Sequence, residues 1–491
     1  MSKGPNTRLA DLFGMTGWSK GELARLVNRQ AAATGHPQLS TDTSRVRRWI
    51  ETGEIPREPV PKVLAALFTE RLGRVVTTED LGFERAAGPG RVRRQSDDAL
   101  PWAPERTAEV LTEFTGMDLM LNRRGLVGAG TALAAGSALT SSLHEWLHSD
   151  PAAPGAAAGS APLHAEPACY GRYEAMPVGA QEVEALERSV EVFRAWDAER
   201  GGGLQRKAVV GQLNEVGGML AYRHPEPLQS RLWGVAANLA VLAGWMSHDV
   251  GLEPTAQRYF VIAAHAAREG GDRPRAAEAL SRAARQMIHL GRPDDALELV
   301  GLAKSGTGPA THAARARSML ATIEAWAQAA KGRTGAVQRT LGEAEELFAR
   351  DGADLAAPTW MQLFDEADLH GMQALAYRTL AEHDPAAASR AREHGELALA
   401  KRPEGRQRSQ ILDYVSLAAV GFLAGDPDRG ERYTRLALER IGENSSHRTW
   451  DRLRQTYRLT APYADDPAVK ALREEAAETL ARAPKGRTSA I

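Results

Sequence analysis

The 491-residue chain carries 61 Lys and Arg against 62 Asp and Glu, and this near balance excludes a bulk polyelectrolyte attraction to nucleic acid or membrane. The imbalance is local: residues 1–95 hold 16 basic and 10 acidic side chains (+6), which leaves about −7 for the rest of the net −1. A single cysteine, Cys169, excludes an intrachain disulfide and a cysteine-based zinc site.

The opening residues, MSKGPNTRLADLF, hold no apolar run of signal-peptide length, so a cytoplasmic location is expected. Residues 7–84 form the first unit. A short helix is expected over 7–13. Ser19 is the expected N-cap of the next helix, with Glu22 three residues on and Leu23, Leu26 and Val27 along one face. After the polar TGHPQ connection, Ser40 or Thr41 is the expected cap of a helix that stops at Gly53. The prolines at 56, 59 and 61 mark another helix start, and VTTEDLGF closes the unit.

Small helices joined by short polar turns fit a helix-turn-helix domain. On the helix around Arg47, 3.6-residue periodicity puts Val46, Trp49 and Ile50 on one side. Ser44, Arg47 and Arg48 fall on the other, flanked by Arg45. Arginine binds phosphate or makes bidentate contacts to guanine, and Ser or Thr serves either role. Lys20 and Arg57, near helix ends, are expected phosphate contacts. A solvated helix face is the bland alternative.

Residues 85–104 read as a linker and 105–121 as helix. Residues 125–143 carry no charge, but they are rich in Gly, Ala, Ser and Thr rather than in the strongly apolar residues of a membrane span. A buried small-residue helix is expected there, and no membrane role. His144-Glu145-Trp146-Leu147-His148 then matches HExxH, which on a helix could place two imidazoles on zinc with Glu145 as general base. Asp150-Pro151 ends that helix one turn later and no third histidine follows at metzincin spacing, so an amphipathic helix end is expected and no metal. Residues 149–178 read as a flexible linker that contains Cys169.

From 179 to 483 the pattern is almost continuously helical. Residues 242–268 read as a helical hairpin, with Gly244, Ala256 and Ala263 allowing close approach and Phe260 filling the gap between the helices. The arrangement recurs after Gly291 (Ala296, Val300, Ala303), Gly332 (Val337, Leu341, Ala344) and Gly425 (Gly430, Thr434, Ala437). The spacing from Ala256 to Ala296 is 40 residues and from Ala296 to Val337 41, longer than a standard tetratricopeptide. Val337 to Gly430 is 93 residues, with EHDPAAASRAREHGELALA as a degenerate unit between them. One hairpin cannot bury its own apolar face, so an α-solenoid is expected, with a partner-binding groove. The fold class is therefore all-α, a helix-turn-helix head on a tetratricopeptide-like body. No P-loop, GxGxxG or GxSxG is present; no enzyme activity and no cofactor are implied.

Residues 17–83, with RRWIETGEIPR at the exit of the basic helix and VTTEDLGF at the end, resemble the divergent Xre-type helix-turn-helix heads of actinobacterial regulators. LAGWMSHDVGLEPTAQRYFVIAAHAAREGGD is similar to the first clear repeat of the same regulators. That group includes negative regulators of sporulation and antibiotic production. The resemblance implies a cytoplasmic regulator that binds double-stranded DNA through Thr43, Ser44, Arg45, Arg47 and Arg48. It also implies a body that senses a peptide or protein, and it leaves room for a homodimer. A scaffold or signalling adaptor without DNA binding is the alternative.

Overall fold

The computed structural model describes residues 4–33, 38–57, 59–72, 76, 78, 80–83, 104–120, 133, 134, 139, 143, 178–200, 205–308, 313–350, 360–362, 364–442 and 446–482. Among the described residues are 19 α-helices, one 3-10 turn and no strand, arranged as a small helix-turn-helix head and a tetratricopeptide-like solenoid. The HExxH stretch at 144–148, Cys169 and nearly all of the two linkers lie outside the described residues.

The head comprises α1 (Thr7–Thr16), α2 (Lys20–Ala33), α3 (Thr43–Glu51) and α4 (Val60–Leu72). Asn6 caps α1 by accepting from Leu9 N at 3.0 Å, and Gly17, at φ 70°, ends it, so α1 runs past the expected 7–13. Ser19 Oγ accepts from Glu22 N at 3.2 Å, as its spacing predicts. Leu23, Val27, Val46, Trp49, Leu64 and Phe68 form the shared core. The closing segment adds Leu81 and Phe83, and Asn6 Nδ2 donates to Leu81 O at 2.7 Å.

The body begins with α5 (Pro104–Met120), α6 (Ala180–Arg200) and α7 (Arg206–Leu220). Then come the hairpins α8 (Glu226–Asp249)/α9 (Glu253–Glu269), α10 (Arg273–His289)/α11 (Pro293–Gly306) and α12 (Ala313–Ala329)/α13 (Thr334–Arg350). These are followed by α14 (Glu366–Leu380)/α15 (Ala387–Lys401) and α16 (Gln407–Leu423)/α17 (Pro427–Ile441), and by α18 (His447–Leu459) and α19 (Pro467–Ala481). The first helices of successive hairpins also pack on one another, and this produces the solenoid.

The small-residue code works as the spacing predicts. A Cβ on Gly244 would stand 2.7 Å from the Phe260 ring, and Ala256 and Ala263 are fully buried. At the fifth hairpin the approach is tighter: a Cβ on Gly421 would meet the backbone N of Gly430 at 2.6 Å. The turn after α8 is a Schellman motif, with Gly251 at φ 73° and Leu252 N donating to Ser247 O at 2.9 Å. In the degenerate unit, Ala391, Gly395 and Ala398 occupy the small positions and are buried. Its register is late because of the long 351–365 connection.

Helix α5 belongs to the body core rather than to a separate segment. Asp118 is buried in an ion pair with Arg206 and accepts from Tyr259 Oη at 2.6 Å, while Phe114 meets the Tyr259 ring edge-on at 4.9 Å. From the uncharged stretch, Ala134 exchanges two 2.8 Å hydrogen bonds with the Gln257 side chain, and Leu139 and Leu143 are buried against the body. Among the described residues no helix is long and apolar enough to cross a membrane.

Candidate functional site

Helix α3 is held by its apolar side and presents its cations outward. Val46, Trp49 and Ile50 are buried in the head core. The helix starts where Asp42 caps it, accepting from Arg45 N at 2.8 Å, which corrects the expectation of Ser40 or Thr41. Thr41 is engaged elsewhere: its N donates to Asn28 Oδ1 at 2.6 Å, and its carbonyl accepts from Asn28 Nδ2 at 2.8 Å. Asn28 thereby clamps α2 to the start of α3.

On the open side Thr43, Ser44, Arg45, Arg47 and Arg48 are all exposed. Glu51 accepts from Arg47 Nε at 2.7 Å and from Lys20 Nζ at 2.6 Å, so the structure brings Lys20 onto the α3 face. Those contacts hold the Glu51 carboxyl below its ordinary range and raise the Arg47 guanidinium. Arg48 pairs with Glu54 at 2.8 Å, and Arg45 turns back to the Ser40 carbonyl. Arg57 stands outside this array; it is exposed, and its carbonyl accepts from Val60 N at 3.0 Å at the start of α4. Exposed pairs of this kind are screened by water and hold their cations only weakly.

A second polar constellation lies inside the body, and nothing in the sequence reading pointed towards it. Asp249, at the end of α8, is buried between Arg448 Nε at 2.5 Å and Arg408 Nη1 at 3.5 Å. These cations keep its carboxyl below the ordinary range, although burial alone would raise it. Arg408 also pairs with Asp197 of α6 at 2.9 Å, so both ends of the body meet here. Arg448 lies 3.9 Å from the centroid of the Trp245 ring, Arg285 5.2 Å and Arg282 5.4 Å. Beside them His248 Nδ1 donates to Glu253 at 2.8 Å and Nε2 shares a 2.9 Å hydrogen bond with His289 Nδ1, whose ring stands edge-on to Trp326 at 5.0 Å. Burial pushes His289 well below its usual range and keeps it neutral. Among the described residues no cluster of three or more His, Cys, Asp or Glu could hold a metal ion.

Fold and site together define a class: a helix-turn-helix head with an exposed cationic helix face, carried on a helical-repeat body with a charged interior. Comparison with known families reaches the head alone, where a family model described as the SP15 N-terminal domain matches residues 9–84. No curated protein and no solved structure matches the chain.

Proposed function

We propose that the protein is a cytoplasmic DNA-binding transcriptional regulator whose repeat body binds a peptide or protein partner. Following the resemblance to actinobacterial regulators, its targets lie in development or secondary metabolism. One observation carries the reading: the residues of α3 that the core leaves exposed are Thr43, Ser44, Arg45, Arg47 and Arg48, on a helix fixed from behind by Val46, Trp49 and Ile50. Such a helix lies in a major groove with Arg47 and Arg48 at base edges or phosphates and the hydroxyls of Thr43 and Ser44 near its N-terminus. Lys20 and Arg57 contact the flanking backbone.

A test is selection of duplex fragments from genomic DNA by the full chain over a salt series. Enrichment over competitor duplex, weakening steeply with salt, supports the regulator. The absence of enrichment favours a scaffold or signalling adaptor. That second reading has its own support in Glu51 and Glu54, which already satisfy three of the cations on the face.

A further inference from the structure

We propose that the interior of the body is a binding site for a small, multiply charged oxyanion, held between Arg285 of α10 and Arg452 of α18. The inference stands whether or not the head binds DNA.

Most of the charges inside the body are paired. Arg408 and Arg448 share Asp249, and Arg408 also has Asp197. Arg282 pairs with Glu278 at 2.6 Å and Arg378 with Glu382 at 3.3 Å. Arg285 and Arg452 form no ion pair with a carboxylate among the described residues. Each instead faces an indole, Arg285 that of Trp245 at 5.2 Å and Arg452 that of Trp326 at 5.5 Å. Among the described residues neither guanidinium thus has a carboxylate in salt-bridge contact: Asp368 acts on Arg285 and Glu382 on Arg452 only through space, in a region crowded with further arginines. Burial first, and then neighbouring cations, push both down to about 9. Arg285 and Arg448 share the Trp245 ring, and Arg452 lies one helical turn beyond Arg448 on α18, so the three stand on neighbouring positions. Buried N–H groups are also left over: Arg285 Nε, Arg378 Nε and Arg448 Nη2 lack hydrogen-bond partners.

A cation–π contact offsets only a small part of the cost of desolvating an ion. The three arginines at 285, 448 and 452 are densely surrounded by protein, yet each keeps part of its surface accessible. Planar guanidiniums with free N–H groups match an oxyanion with two or more negative charges, such as a phosphate ester or a polycarboxylate. A small ligand fits better than a peptide, because the Arg408–Asp197 and Arg448–Asp249 pairs tie the last helices to the first across the interior.

The test uses the full chain in calorimetric titration and thermal unfolding, with sodium pyrophosphate and sodium citrate against sodium chloride at matched ionic strength. The expected result is a saturable, one-per-chain rise in Tm with pyrophosphate or citrate and none with chloride. A preference for pyrophosphate assigns a phosphate source, and a preference for citrate a polycarboxylate. Arg285→Gln and Arg452→Gln should fold with ligand-free Tm equal to or above that of the parent, because each removes an uncompensated buried charge, and each should weaken the anion by about tenfold or more. Arg350→Gln, which loses only an exposed pair with Glu346, should bind as the parent does. No saturable effect of either anion, undiminished binding in both interior variants, or tighter binding of a short polyglutamate peptide than of either anion would overturn the proposal.

Discussion

Arg47 of α3 and Arg285 of the body carry the same guanidinium in opposite surroundings. The Arg47 side chain is 69% exposed and is held by one carboxylate that water already screens. Arg285 is deep, faces an indole and has only other arginines and distant carboxylates around it. The first arrangement costs little to form and little to break, which suits exchange of Glu51 for a DNA phosphate. The second imposes a desolvation cost that internal contacts do not return, which suits a ligand that arrives with its own negative charge. The head thus keeps its cations ready at the surface, whereas the body stores unsatisfied charge inside.

The comparison can be broken most forcefully at the buried pair in the body. Asp118→Ala leaves Arg206 without its carboxylate and Tyr259 without its acceptor, and should cost about 3–5 kcal/mol in denaturant unfolding. The head's affinity for duplex should not change. A loss no larger than that of an exposed pair would mean that burial does not set the scale.

Acid should sharpen the contrast. His265 of α9 is buried, and its pKa is pushed down to about 3 by desolvation and then by Arg268. The unfolded chain takes up that proton near pH 6.5 and the folded one does not, so stability is full above 6.5 and falls as pH drops towards 3. The slope is about 1.4 kcal/mol per pH unit from this group alone. His265→Leu should flatten the acid limb of the body, measured by unfolding at several pH values. An unchanged limb would remove His265 from the account.

The smallest effect on stability belongs to the head. Glu51→Gln should leave the unfolding free energy almost unchanged, because water already screens its pairs. By freeing Arg47 and Lys20 it should also tighten duplex binding and steepen its salt dependence. Weaker binding in this variant would instead make Glu51 a positioning residue for Arg47.

Periodicity made both the fold and the outward face of α3 legible in the sequence. Val46, Trp49 and Ile50 are buried and Ser44, Arg45, Arg47 and Arg48 face solvent as expected, because a 3.6-residue repeat needs no tertiary information. The turn glycines and the Gly244–Phe260 contact were legible for the same reason. The choice of cap was not: Ser40, Thr41 and Asp42 all can cap, and Asn28, engaging Thr41 from α2, leaves Asp42 at the N-cap. Helix α5 joined the body unannounced because Asp118 finds Arg206 and Tyr259 at separations of 88 and 141 residues. The interior cations were hidden most deeply. Arg408 and Arg448 reach Asp197 and Asp249 only because the solenoid curves back on itself, a property of the stack that no local window contains.

The central claim, that the exposed face of α3 reads duplex DNA, is tested most directly by Arg47→Ala with Arg48→Ala in the full chain, titrated against a selected duplex over a salt series. The account predicts affinity reduced to that for competitor duplex, a slope of log affinity against log salt shallower by about two, and helical content unchanged by circular dichroism. Unchanged affinity and slope in a folded double variant would contradict it.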